Sequence, residues 1–403
     1  MKIFFGNVSW SFGAGLLSAV IMFSVNILAG RLLGPFGFGQ YNFILSLATS
    51  VTFFFLLGNN QSGIRYIADD GYRKRRGGFL SALLFLTIAQ TIVVLALSNA
   101  YSYEILKKFG ISLNIFRLTL FLGLVFSFKE LFDSFIRSLG LFKVQSFIKV
   151  GDAIFVLVSF MLFYFIYRAK LSPSHYAMSM AVGAIFSISA FFYFVKDRFE
   201  RFGRGEISIL FRYNKFLILG GLSGLIMSLE KVFIGKYIGI ESLGIYSAYY
   251  ASSQMIISNF GIIFMNIFWP TVIKNKDSLG SILAKLTKVF FRYFPLWVAM
   301  NFACIAFFLS LYGKQYALDV QLLVLFSLSS LLNVFFFVFM SIMNIDKVHL
   351  SFIINTVLYV VLVSSIAIFR SIPIYLAFQV ALYLVGIIYV RGVLIRDVMR
   401  KTL

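Results

Sequence analysis

Gly30-Arg31-Leu32-Leu33-Gly34-Pro35-Phe36-Gly37-Phe38-Gly39-Gln40-Tyr41 closes one long apolar segment and opens the next. A second copy of its pattern, Gly235-Lys236-Tyr237-Ile238-Gly239-Ile240-Glu241-Ser242-Leu243-Gly244-Ile245-Tyr246, lies 205 residues further on. At that one offset five positions keep their character: Gly30/Gly235, Arg31/Lys236, Gly34/Gly239, Gly39/Gly244 and Tyr41/Tyr246. The offset is close to half of the 403 residues. Each copy joins the first two apolar segments of its half. The chain therefore reads as two halves of like construction.

Working outward from this stretch, composition fixes the class. The chain is 60% hydrophobic and 13% charged, with 51 Phe. A soluble globule of this length needs far more polar surface. Apolar runs of about twenty residues recur, each long enough for a ~30 Å hydrocarbon core. Twelve spans are predicted, near 8–33, 39–64, 78–100, 113–136, 147–168 and 176–195, then 213–238, 243–268, 283–311, 319–343, 349–369 and 372–393. All should be helices, because hydrocarbon offers backbone groups no other partner; the alternation of a barrel is absent. Met1-Lys2-Ile3 opens on no small-residue cleavage site, so the first segment reads as a retained helix.

The fold class expected is all-α integral membrane, with two six-helix bundles: residues 1–195, a basic cytoplasmic linker at 196–212, and residues 213–403. Six spans per half is an even number, so the repeat is a parallel one. Of the 36 Lys and Arg, 25 fall at one set of ends and loops and 9 at the other. That bias places both termini in the cytoplasm. The net charge of +21 is spread in short clusters between apolar segments, which argues for topology signals and anionic lipid and against nucleic acid.

Ionisable groups inside spans are costly and are functional candidates by default. Lys129, Asp133 and Arg137 follow one another at helical spacing in the fourth span. They read either as a self-neutralising ladder or as the lining of a polar cavity, while Glu130 points elsewhere, toward a neighbouring span. Glu230 and Lys231 sit inside the seventh span, too far from its outer end for both to reach water. Lys231 could bind an anion, and Glu230 could carry a coupling proton or balance Lys231. Asn26 is the polar counterpart of Lys231 at the repeat offset. Arg31 and Lys236 sit at equivalent outer helix ends, where they either favour the helix dipole or contact an anionic substrate. Asp152, just beyond Lys149, reads as structural. Asn42, Asn59, Asn60, Gln61, Gln254, Asn259 and Asn266 are polar candidates that the sequence does not rank.

The glycine pairs Gly30/Gly34, Gly235/Gly239 and Gly220/Gly224 have the small-xxx-small spacing of close helix packing. Pro295 predicts a kink. The single Cys and two His hold no metal spacing, and no phosphate-cradling glycine loop precedes a Lys-Ser/Thr pair. No cofactor is expected.

The run Leu28–Tyr41, LAGRLLGPFGFGQY, and the later run Leu229–Tyr250, LEKVFIGKYIGIESLGIYSAYY, resemble the first two and the seventh and eighth spans of Wzx-type polysaccharide flippases. These belong to the multidrug/oligosaccharidyl-lipid/polysaccharide exporter superfamily. The resemblance implies two six-helix bundles forming a V around a central cavity in a bacterial inner membrane. It implies an oligosaccharide on undecaprenyl pyrophosphate, such as an O-antigen repeat unit, turned to the outer leaflet by alternating access. A polysaccharide polymerase and a chain-length regulator are the partners it implies, and a proton or sodium gradient the drive. Arg31, Lys129, Lys231 and Lys236 would then face the diphosphate, and Glu230 or Asp133 would carry the ion. A cation-coupled multidrug exporter of the same superfamily is the alternative; a lipid II flippase is a nearer relative with more spans. A membrane-embedded glycosyltransferase, polymerase or ligase would need a larger outward loop than the dozen residues around Tyr101–Ser112.

Overall fold

The computed structural model describes residues 2–253, 279–343 and 348–402. Every regular element among them is a helix. They are α1 (Lys2–Leu56), α2 (Asn59–Ala68), α3 (Arg76–Ala100), α4 (Ser102–Phe109), α5 (Leu113–Ser138), α6 (Phe142–Tyr167), α7 (Pro173–Val195) and α8 (Arg204–Tyr237). Then come α9 (residues 240–253), α10 (Leu279–Tyr312), α11 (Val320–Met343), α12 (Val348–Phe369) and α13 (Ile372–Thr402).

Among the described residues eight helices are long and apolar enough to cross a membrane, or nine if the bent pair α4 and α5 is one span. The first, Trp10–Leu56, has 47 residues. At 1.5 Å per residue it would run ~70 Å, more than twice the hydrocarbon thickness. Gly34, at φ 69 and ψ 173, breaks its helical geometry and makes two helices of it. Only a residue without Cβ takes that conformation cheaply, and Pro35 then opens the second helix. Large apolar side chains point outward, as lipid contact requires: Ile368 is 74% and Ile388 70% exposed.

Local chemistry sets the other ends. Ser172 and His175 form a capping box at the start of α7, with Pro173 in its first turn. His175 is thereby a capping residue. Ser112 accepts from Ile115 N at the start of α5. Within the expected linker, Lys196–Arg198 is a 3₁₀ turn and α8 begins at Arg204, nine residues before the span start read at 213. Phe199 packs edge-on to Phe135, and Phe202 packs against Phe85, so the basic segment is tied down by its two phenylalanines.

The chain forms two compact units: residues 1–29 with 40–232, and residues 30–39 with 233–403. The first unit has a core of α2, α3, α5 and α7 side chains, with Phe79, Leu83, Leu131 and Phe135 fully buried. In the second, Tyr246 and Tyr249 pack on Phe326 of α11. The repeat extends to packing within each unit. Tyr41 stacks on Tyr176 near the start of α7 at 4.0 Å, and its counterpart Tyr246 lies 6.5 Å from Tyr375 near the start of α13.

Candidate functional site

In the first unit the second half of α1, with α2, runs antiparallel along α8. Lys231 Nζ donates to Asn42 Oδ1 at 3.3 Å. The Ser50 and Ser228 hydroxyls lie 2.7 Å apart. Further along, Leu217 packs against Gly58 and Arg65 Nη1 donates to Tyr213 at 3.0 Å. Residue numbers rise on one side as they fall on the other, so polar pairs recur along the whole seam. Asn42 and Glu230 are buried, and Lys231 is half-buried.

The expected second span, 39–64, is broken. Leu57 (φ 38) and Gly58 (φ 87) both take left-handed backbone and separate α1 from α2. For Leu57 that conformation costs ~1–2 kcal/mol. A buried amide network compensates. Asn59 Nδ2 donates to Thr87 Oγ1 and to Gln90 Oε1, both at 2.9 Å, and Asn214 Nδ2 donates to Asn59 Oδ1 at 2.7 Å. The Ser62 hydroxyl donates to Asn214 Oδ1. Asn59 is therefore a structural residue that locks α2 to α3 and α8. Its neighbours turn the other way: Gln61 is exposed, and Asn60 donates to Glu130 Oε2 at 3.3 Å.

On α5 the buried Leu131, Phe135 and Ile136 take one face; Glu130, Asp133 and Arg137 take the other. The ladder expected from spacing is split. Arg137 pairs with Asp133 at 3.0 Å, and Gln145 Nε2 donates to the same carboxylate at 2.7 Å. Lys129 instead crosses to α6, where its Nζ lies 2.6 Å from Asp152 Oδ2. Asp152 and Lys129 thus form an ion pair between α5 and α6. Glu130, read as pointing toward a neighbouring span, meets Asn60 of α2 and is the carboxylate of this level with no ion pair among the described residues.

Asn26 accepts from Tyr176 OH at 3.2 Å and donates to Met22 O at 3.0 Å, so it anchors α1 to α7. In the second unit, Arg31 and Lys236 are both exposed. The carbonyls beside Arg31 are held by α10's end: Gln315 Nε2 donates to Arg31 O at 2.9 Å, and Tyr316 OH donates to Gly30 O at 3.0 Å. Lys236 Nζ lies 5.3 Å over the Tyr237 ring. Gln254, Asn259 and Asn266 lie outside the described residues. Lys231, Glu130 and the polar seam share the first unit; Arg31 and Lys236 belong to the second.

A family profile described as polysaccharide biosynthesis protein matches residues 4–276. Comparison with curated proteins finds no match. Solved structures resemble the chain over nearly all of its length. An inward-facing multidrug resistance MATE family transporter of the MOP superfamily aligns with TM-score 0.65 and 14% identity, covering 97% of this chain and 96% of that one. An outward-facing one aligns at 0.55 and 14%, covering 98% and 95%. A MATE protein in complex with MaL6 aligns at 0.58 and 12%, covering 98% and 97%. At such identities the likeness is one of fold.

Proposed function

The chain is a member of the polysaccharide biosynthesis protein family, matched over residues 4–276, and from that membership we propose that it flips an oligosaccharide linked to undecaprenyl pyrophosphate across a bacterial inner membrane. The family match carries the reading. It is a multi-pass membrane protein with the fold of MATE transporters, so the lipid is moved rather than chemically altered. An alternating-access cycle driven by a proton or sodium gradient, cytoplasmic termini, and a polymerase and chain-length regulator as partners complete the proposal.

Lys231 supports it from within the span. Its ammonium sits about 9 Å along α8 from the end at Tyr237, at 1.5 Å per residue. A cation kept at that depth suits a diphosphate headgroup. Asn42 accepts a hydrogen bond from Lys231 at 3.3 Å. Cation-coupled drug export is the second reading, favoured by the MATE fold.

The test is a proteoliposome assay with a fluorescent undecaprenyl-pyrophosphate-linked sugar and a membrane-impermeant quencher. Protein-dependent exposure of inner-leaflet label is expected. Lys231→Ala should slow it roughly tenfold, as loss of one charge-assisted contact of about 1.5 kcal/mol implies. Transport of cationic dyes with no movement of the lipid would replace this reading with the second.

A further inference from the structure

The level of α5 around residue 130 carries two cations and three carboxylates: Lys129, Arg137, Glu130, Asp133 and Asp152. Lys129 pairs with Asp152, and Arg137 with Asp133. Glu130 is left over. It lies eight residues before Ser138, or about 12 Å along the helix from that end. Its hydrogen-bond partner among the described residues is the neutral amide of Asn60. Among the described residues, the further cations on helices packed against α5 include Arg65 of α2 and the exposed Lys143 and Lys149 of α6, and none of them is an ion-pair partner of Glu130. α2 offers Asn60 and Gln61, with Arg65 already bonded to Tyr213. α3 brings Thr87 and Gln90, both bonded to Asn59. α6 brings Gln145 and the paired Asp152, and the one titratable imidazole of α7 is in the cap at His175.

We infer that Glu130 and Asn60 form the proton-binding site that couples transport to a pH gradient; this rests on the transporter reading above. An in-span carboxylate whose neighbours' charges already cancel is cheapest to keep neutral by taking up a proton. Its ionised form also has support, from the Asn60 amide and from the positive end of α2. Both protonation states are thus accommodated, as a carrier needs.

The site is wired to the helix break. Asn60 Oδ1 accepts from Gln61 N at 3.0 Å while its Nδ2 donates to Glu130. A proton on Oε2 makes that oxygen an O–H donor, while the other carboxyl oxygen keeps its acceptor capacity. The Asn60 amide can then turn its Oδ1 toward the new O–H, which leaves the Gln61 N–H to the Gly58 carbonyl, 3.1 Å away, in the first turn of α2. Loading and unloading a proton therefore changes the bonding of the residues that follow the Leu57–Gly58 break.

The experiment uses the full chain in proteoliposomes with the fluorescent lipid-linked sugar, with and without an imposed pH gradient. Infrared difference spectra of the same samples read carboxyl protonation directly. Wild type should flip faster with the gradient and show a protonated-carboxyl band that titrates. Glu130→Gln, which keeps size and shape, should lack that band and flip at one rate whatever the gradient. Asn60→Ala should keep the band but shift its midpoint upward. The inference is overturned if Glu130→Gln keeps both the band and the gradient response, or if a sodium gradient alone accelerates wild type. Absence of flipping in wild type would instead defeat the transporter reading, while the band still reports on Glu130.

Discussion

Gly39 and Gly244 stand at the same place in the two sequence copies and are each other's neighbours in the fold. A Cβ on Gly39 would run into the carbonyl of Ile240, and one on Gly244 into the carbonyl of Pro35. Pro35 and Ile240 are also separated by 205 residues. The repeat thus closes on itself, with each glycine under the other copy's backbone.

Substitution at this crossing should be costly because the obstacle is backbone, which has little room to give. Gly39→Ala and Gly244→Ala should each destabilise by about 1–3 kcal/mol, the range for overpacking. The double variant should cost less than the two added together, since both act on one contact. Thermal melting in detergent checks this, with Gly15→Ala, whose Cβ meets nothing within 4 Å, as the control expected to be neutral or stabilising.

The Asn59 network makes a second prediction. Asn59→Ala strands Thr87, Gln90 and Asn214, three partners it serves at 2.7–2.9 Å. A loss of about 1–3 kcal/mol is expected, with positive coupling to Asn214→Ala in a double-mutant cycle. Gln61→Ala, at an exposed side chain three residues from Gly58, should leave melting unchanged.

Lys129 and Asp152 should behave as a pair. Either Lys129→Met or Asp152→Asn leaves one charge in the span and should lower stability by about 1–3 kcal/mol. The Lys side chain is 33% exposed, so the loss belongs at the lower end of that range. Combining the two substitutions should restore part of it.

Glu206 gives a pH dependence at the start of α8. Burial pushes its carboxyl up, but the Gly203 N–H and the Arg75 guanidinium, at 2.6 Å, outweigh that and hold it below the ordinary Glu value. A depressed carboxyl contributes stability that is complete above the unfolded value of about 4.3 and fades as pH falls from there through the folded value. Melting temperature should therefore drop more steeply below about pH 4.3 in wild type than in Glu206→Gln; parallel curves would count against the Arg75 contact.

Much of this fold is written in local pattern. The apolar runs place α3, α5, α6 and α7 within a few residues, and the Gly34-Pro35 turn falls where Gly30–Tyr41 puts it. The break at Leu57–Gly58 was missed because the apolar run ending at Leu57 reads straight into the expected span. Its signal was the sequence Gly58-Asn59-Asn60-Gln61, polar residues after a glycine where hydrocarbon should continue. Helical spacing correctly put Asp133 and Arg137 together but could not show Lys129 reaching to α6, since partners on another helix are invisible to a single-helix pattern. Likewise, nothing local told Asn59, which is structural, from Asn60, which meets Glu130.

The central claim is that the chain moves a lipid-linked glycan. The most direct measurement is the sidedness of undecaprenyl-linked oligosaccharide in the native host after deletion of this gene. The account predicts complete units held on the cytoplasmic leaflet, with delivery restored by the wild-type chain and poorly by Lys231→Ala. Normal delivery to the outer leaflet in the deleted strain, with no second flippase present, would contradict it.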